Sequence, residues 1–266
     1  MIKDLIKLIP AHSVYVEVFG GSAELLFCKA PSRTEVYNDI NGDLVNLFLQ
    51  VRDNHLAVAE RLKWLPHSRK IYETWSKDFK TGLSPSDPIE RAARFYYILC
   101  LQFAGHMYGG WAYGKGKTRW NQNRVSRFNK ISLRLNGCHI DCSDFRKLIP
   151  AWDGDGTFFF LDPPYLETSS YRQGFREQDH RDLAELLKSV EGKWLLTLND
   201  HPLFLELYSD YLIEQVDVSL SSEKLDVGGT RKTFTNLMIR NYDLGDPSQS
   251  ILGSYLLQKP PEAAQG

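Results

Sequence analysis

The sequence predicts an α/β fold: a parallel sheet whose chain is interrupted by a mostly helical, basic insertion. Three observations carry this. The first 50 residues alternate strand, glycine turn, helix, strand and helix. The same alternation resumes after residue 137. Between them, about 53–137, the pattern turns helical and then Gly- and aromatic-rich.

Val14 to Phe19 is rich in β-branched and aromatic residues and reads as a strand. Gly20-Gly21-Ser22 is a turn, and Ala23 to Cys28 opens a helix. Thr34 to Tyr37 reads as a second strand, ending at Asn38-Asp39. Asn41 to Val51 is helical, with Leu44, Val45, Leu47, Phe48 and Val51 near a 3.6-residue period. Residues 53–104 read as helices punctuated by Pro66, Pro85 and Pro88. Residues 105–130 read as a mobile loop outside the core, with five glycines, Trp111, Tyr113 and Trp120, and six basic residues without an acid. Cys138 to Cys142, Thr157 to Leu161, Trp194 to Leu198, Leu212 to Val218 and Asn236 to Tyr242 read as strands, and Gln178 to Val190 as an amphipathic helix. The tail from about Asp246 is expected to fray.

Composition excludes several classes. With 42% hydrophobic and 24% charged residues the chain is globular. Its longest apolar run, Phe95 to Leu101, is far shorter than the roughly 18 residues of a membrane span, and Met1-Ile2-Lys3-Asp4 is no signal peptide. Cys28, Cys100, Cys138 and Cys142 form no C-x-x-C pair and read as reduced, buried thiols of a cytoplasmic protein. The seven histidines share no metal spacing, so no metal is expected, and Trp64, Trp75 and Trp194 read as core. The net charge of −1 hides an asymmetry. Residues 61–140 hold 15 Lys/Arg against 4 Asp/Glu, a net of +11, leaving 17 against 29 elsewhere, a net of −12. This suggests a polyanion bound by one part of the molecule; the alternative is a solvated basic helix face.

Two short segments suggest a nucleoside-bearing ligand. The Gly20-Gly21 turn lets a ligand approach the backbone, next to a helix N-terminus, although it also suits a purely structural turn. It is neither a dinucleotide fingerprint nor a P-loop, and Gly116-Lys117-Thr118 has Trp111 where a P-loop needs its first Gly. Asp39, about 20 residues on, has the placement of an acid that accepts ribose hydroxyls, or of a helix N-cap.

The most informative segment is Asp162-Pro163-Pro164-Tyr165, directly after Phe158-Phe159-Phe160-Leu161. Ligands of open α/β sheets bind beyond the carboxyl ends of strands. Two prolines freeze the turn there. The Asp162 carboxylate and the Pro163 carbonyl are two acceptors for one exocyclic amine, and Tyr165 offers a flat face for a planar base.

At this point the chain resembles the Dam-like (D12 class) DNA adenine N6-methyltransferases. Glu17-Val18-Phe19-Gly20-Gly21-Ser22-Ala23, Tyr37-Asn38-Asp39-Ile40-Asn41, Ser143-Asp144-Phe145 and Asp162-Pro163-Pro164-Tyr165 carry the resemblance, in the family's order, over about residues 14–52 and 138–243. It implies a Rossmann-like S-adenosylmethionine-dependent methyltransferase sheet. Residues 1–52 and 138–245 would form a discontinuous catalytic domain, 53–137 an inserted target-recognition domain, and 246–266 a tail. By this resemblance Glu17, Phe19, Gly20, Gly21, Ser22 and Ala23 line the S-adenosylmethionine pocket. Asp39 binds its ribose, and Asp144 and Phe145 contact its adenine. Asp162, Pro163, Pro164 and Tyr165 receive the target adenine. Family members carry Glu-Pro-Phe where this chain has Glu17-Val18-Phe19, and their Gly-Gly-Lys segment has no match here, which bears on cofactor affinity.

The expected partner is duplex DNA, with the target base flipped out. Lys115, Lys117, Arg119, Asn121, Asn123, Arg124 and Arg127 are expected to contact it, being types that neutralise phosphates or read base edges. RNA methylation, cytosine N4 methylation and an inert DNA-binding homologue are the alternatives; the recognition sequence and oligomeric state are not legible.

Overall fold

The computed structural model describes residues 2–102, 110–111, 120, 122–166, 175–219 and 233–244. A short amino-terminal helix α1 (Ile2–Lys7) precedes β1 (Val14–Glu17), α2 (Glu24–Cys28), β2 (Thr34–Asn38) and α3 (Gly42–Asp53). The helices α4 (His55–Leu62), α5 (Arg69–Lys80) and α6 (Pro88–Leu101) follow. After a 3-10 helix at Gln122–Arg127 come α7 (Phe128–Leu135), β3 (Cys138–Asp141), α8 (Phe145–Trp152) and β4 (Thr157–Leu161). The chain continues with α9 (Glu177–Leu187), β5 (Lys193–Asn199), α10 (Pro202–Leu207), β6 (Leu212–Ser219) and β7 (Thr233–Arg240).

These strands form one seven-stranded sheet in the order β3-β2-β1-β4-β5-β7-β6. β3, β2, β1, β4 and β5 run parallel, while β7 inserts antiparallel between β5 and β6. The fold is the expected Rossmann-like α/β sheet. Strand order reverses between β1 and β4, which pair in register from Val14↔Thr157 to Glu17↔Phe160. At such a switch point the connections leave in opposite directions and open a crevice at the carboxyl ends.

Side-chain alternation divides the core in two. Tyr15, Tyr37, Phe158 and Phe160 face one cluster, and Val16, Val36, Phe159 and Leu161 face the other. The second cluster is closed by α8, α9 and α10 through Leu148, Leu183 and Phe204. The first is closed by α1 to α7, with Phe95, Tyr97 and Ile98 of α6 and Phe128 of α7 all 2% exposed or less. The described part of the basic segment is therefore helical, and it shares its core with the sheet.

A buried ion cluster ties this side together. The Lys29 ammonium donates to Glu35, to the Ala30 carbonyl at 2.9 Å and to Ser32 Oγ at 2.8 Å. Arg134 of α7 donates to both Glu35 oxygens and to the Leu26 carbonyl at 2.7 Å.

Several expectations need correction. Trp64 is 81% exposed, because it sits on the turn after α4 rather than on a helix face; Trp194 is buried and Trp75 partly so. Only Cys100 and Cys138 are buried; Cys28 and Cys142, at a helix end and a strand end, are exposed. The 105–130 stretch is not wholly outside the core. Trp120 is 6% exposed and donates its indole N–H to the Leu65 carbonyl at 2.8 Å, and Trp111 packs 5.5 Å from the Tyr72 ring. Residues 103–109, 112–119 and 121, and the tail, lie outside the described residues. The sequence reading missed α1, α8 and α10. Among the described residues no helix is long and apolar enough to cross a membrane, and no group of three or more His, Cys, Asp or Glu is arranged to hold a metal ion.

Candidate active site

The carboxyl ends of β1, β2, β3 and β4 border a cleft of about 1020 Å³. Its floor is the turn after β1. Gly20 donates its amide to the Asn38 carbonyl at 2.7 Å, drawing the turn against the end of β2. A Cβ at Gly20 would lie 2.2 Å from the Tyr37 ring and 2.8 Å from the Asn38 carbonyl, so no other residue fits. Gly21 has φ +49°, in the left-handed region, and the non-glycine Ala23 follows at φ 55°. The latter is a strained geometry held by the turn around it.

Asp39 accepts from the Gly21 amide at 2.9 Å through Oδ2 and from the Asn41 amide at 2.8 Å through Oδ1. Its carboxylate is thus fixed at the cleft wall. The N-cap of α3, one of the two roles open to Asp39, belongs instead to Asn41, whose side chain accepts from Asp43 and Leu44. Burial raises the Asp39 pKa, opposed by the two amide bonds. Asn38 holds three loops at once. Its Nδ2 donates to the Val18 carbonyl at 2.8 Å and the Ser143 carbonyl at 3.0 Å, and its Oδ1 accepts from the Ser143 amide at 2.8 Å.

Glu17 closes β1 and is 2% exposed. It accepts from Tyr15 Oη at 3.1 Å. Burial, with a smaller push from Asp162, raises its pKa to about 8. Phe19, Phe145 and Phe175 form an aromatic trio, their ring centroids 5.4 to 5.7 Å apart. Asp144 caps α8 by accepting from the Arg146 amide at 2.8 Å. Arg146 pairs with Asp144, Asp179 and Asp182 and lies 4.3 Å over the Phe145 ring.

The turn after β4 forms the other wall. Asp162 Oδ1 accepts from Thr197 Oγ1 of β5 at 2.6 Å. The Tyr165 hydroxyl also reaches this carboxylate, and accepts from Asn236 Nδ2 of β7 at 3.2 Å. Asp162 keeps an accessible edge toward the cleft, yet the protein packed behind it raises its pKa; the Thr197 and Tyr165 hydroxyls pull the other way. Beneath the turn the His180 imidazole is fully buried between Phe175 and Phe204, with the Pro164 carbonyl nearby. Burial lowers its pKa to about 4, so the ring is neutral.

Of the site residues read from sequence, Glu17, Phe19, Gly20, Gly21, Ser22, Asp39, Asp144, Phe145, Asp162 and Pro164 line this single cleft. Ala23 is fully buried behind the turn, and Pro163 is buried too. Tyr165 is half-buried and engaged through its hydroxyl. Arg127 is exposed at the end of the 3-10 helix. Lys115, Lys117, Arg119 and Asn121 lie outside the described residues, as do the side chains of Asn123 and Arg124. Sequence reasoning missed roles for Asn38, Phe175, Arg146, Thr197 and Asn236. Thr197 had a signal, as a hydroxyl in the apolar run Trp194 to Leu198.

The sequence model of the D12 class N6 adenine-specific DNA methyltransferases matches residues 1–221. The chain belongs to this family. The D12 member is similar to the type II methyltransferase M1.LlaDCHI of Lactococcus lactis subsp. cremoris, at 28% identity over 258 residues and 87% of each chain. It is also similar to the type II methyltransferase M.CviBI of Paramecium bursaria Chlorella virus NC1A, at 25% identity over 245 residues, 86% of this chain and 90% of the relative. The closely approached Gly20-Gly21 backbone, the fixed Asp39 carboxylate and the aromatic trio are the kinds of group that could hold a nucleoside-bearing ligand in this cleft.

Proposed function

We propose that this chain transfers a methyl group from S-adenosylmethionine to N6 of an adenine flipped out of a short, specific duplex DNA sequence. One observation carries the proposal: the amine-accepting Asp162 and the nucleoside-holding Gly20 turn and Asp39 wall the same cleft. The match to an adenine-specific DNA methyltransferase family supports it. Restriction–modification is the setting we propose, following the type II methyltransferase names of two relatives. We assign 1–52 and 138–245 to catalysis and 53–137 to target recognition, and we place the reaction in the cytoplasm.

Glu17, Phe19, Gly20, Gly21, Ser22, Ala23 and Asp39 would hold the cofactor, with Asp144 and Phe145 at its adenine. When bound, it supplies an electrophilic methyl group on a sulfonium. The remaining work is the protein's. Adenine N6 is a weak nucleophile, because its lone pair is delocalised into the ring. Asp162 and the Pro163 carbonyl accept the two amine hydrogens and favour a pyramidal nitrogen with its lone pair directed at the methyl group. Thr197 fixes Asp162 for this task. As the N6–methyl bond forms and the sulfur–methyl bond breaks, N6 sheds one proton, for which Asp162 is the base. Tyr165 backs the turn and faces the flipped base. Holding both reactants in one cleft supplies several kcal/mol of the barrier reduction through positioning.

The test is a methyl-transfer assay with labelled S-adenosylmethionine and unmethylated duplex DNA, read by nucleoside mass spectrometry. N6-methyladenine is expected from the native chain and not from Asp162→Ala, with cofactor and DNA binding retained. Methyl transfer by Asp162→Ala near the native rate would sink the assignment.

A further inference from the structure

The turn joining α4 to α5 is a built surface feature. The fully buried Tyr97 donates its hydroxyl to the Pro66 carbonyl at 2.7 Å and accepts from the Ser68 amide at 3.0 Å. Trp120 donates to the Leu65 carbonyl at 2.8 Å, and His67 packs on Trp111 with ring centroids 4.7 Å apart. On this fixed turn Trp64 stands 81% exposed. A lone exposed apolar residue needs no explanation. This one has basic company: the Lys63 ammonium lies 5.2 Å over its ring, Lys63, Arg69 and Lys70 are all exposed, and residues 63–70 contain no acid. Lys63 and Arg69 meet Glu60 and Glu73 at 3.5 and 2.6 Å, as exposed pairs of the kind that contribute little and yield to a phosphate. Rigid presentation of an aromatic ring among cations fits a polyanion whose sugars offer an apolar edge.

The placement fits as well. α5 runs from this turn to Phe79, which lines the cleft. Ten residues of helix at about 1.5 Å each put the turn about 15 Å from the cleft, the length of about four or five base pairs. Trp111 lies just before, and Trp120 within, the segment 115–127 expected to read the target, and both pack beside the same turn.

We propose that Trp64, with Lys63, Arg69 and Lys70, contacts the DNA duplex flanking the target base. The indole lies against the sugar edge of the backbone and the three cations meet phosphates. This rests on the reading of duplex DNA as substrate. It adds a contact surface outside the cleft and outside the 115–127 segment.

The test measures binding of the full chain to a long fluorescein-labelled duplex of mixed sequence, by anisotropy across a salt series. Trp64→Ala is expected to weaken binding about five- to tenfold with the salt slope unchanged. The triple variant Lys63→Gln/Arg69→Gln/Lys70→Gln is expected to lower the slope of log K against log salt by about 2 to 3. Melting temperature and S-adenosylmethionine affinity by calorimetry should stay at native values in both, showing that fold and cleft are intact. The proposal is overturned if both variants bind with native affinity and slope. It is equally overturned if DNA binding is native and Trp64→Ala instead removes a concentration-dependent dimer in sedimentation, which would make this a self-association face. Native protein that methylates DNA while the variants bind normally sinks this inference alone. Native protein that binds no duplex sinks both readings.

Discussion

Thr197 is the residue through which the Asp162 carboxylate, proposed to accept the target amine, is most directly adjusted. Its hydroxyl donates to Asp162 at 2.6 Å and also contacts the Leu161 carbonyl at 3.3 Å. A hydrogen bond to a charged group contributes about 1.5–3 kcal/mol. Thr197→Val keeps the shape and removes the donor, so kcat is expected to fall about 10- to 100-fold with KM for the cofactor little changed. The pH profile supplies a sharper reading. Burial raises the Asp162 pKa and the Thr197 hydroxyl restrains that rise. Asp162 must be ionised to accept, so activity is lost as pH falls through its pKa. Without Thr197 that pKa climbs, and the acidic limb of kcat/KM moves to higher pH. An unmoved limb would show that Asp162 is not the group titrating there. At this scale the sequence revealed contiguous motifs: Gly20-Gly21, Asp39 and Asp162-Pro163-Pro164-Tyr165 are each defined by near neighbours in the chain. Thr197 and Asn236 meet the last of these from other strands, 35 and 71 residues away. That pairing depends on sheet order, which local spacing does not encode.

At the scale of elements, the α2–β2–α7 junction depends on Glu35. Burial pushes its carboxyl up, but the Arg134 and Lys29 hydrogen bonds outweigh it and hold the pKa below the usual range. Glu35→Ala would leave Lys29 and Arg134 buried around a missing anion, and breaking such a cluster costs about 3–5 kcal/mol. Chemical denaturation is expected to show that loss, and Glu35→Gln, which keeps one acceptor, should lose less. The strands and long helices were readable because their apolar residues recur at periods of 2 and 3.6. α1 and α10 have six residues each, too few for a periodic signal, and are stabilised by docking rather than propensity. α8 was obscured by Pro150 in its last turns. The position of β7 between β5 and β6 is a property of pairing, and no feature of its own sequence announces it.

Across the whole molecule, the cleft concentrates acids whose pKa burial raises. Burial raises Glu17, to about 8, and also Asp39 and Asp162. For Glu17 the window runs from its ordinary 4.5 to about 8. Within it the folded chain holds a proton that the unfolded chain has released, so stability falls as pH rises. Glu17→Gln removes this dependence while keeping an acceptor for the Tyr15 hydroxyl. Urea unfolding at the two ends of the window is expected to show the native chain losing a few kcal/mol more than the variant. Equal losses would mean that Glu17 is ionised in the fold. The +11 segment was visible in composition, but that its helices and the sheet would share one core was not, since charge patterning reports the surface and says nothing of what lies beneath it.

The two exposed thiols give the molecule a built-in chemical gauge. Cys142 precedes Ser143 and approaches the Ile40 carbonyl at 3.8 Å, and both neighbours border the cleft, whereas Cys28 does not. With an alkylating reagent, Cys142 is therefore expected to label more slowly when the cleft is filled, while Cys28 serves as its reference. A ratio of the two labelling rates that falls as S-adenosylmethionine is added would then report occupancy from the native sequence, and an unchanged ratio would place Cys142 outside the reach of the bound ligand.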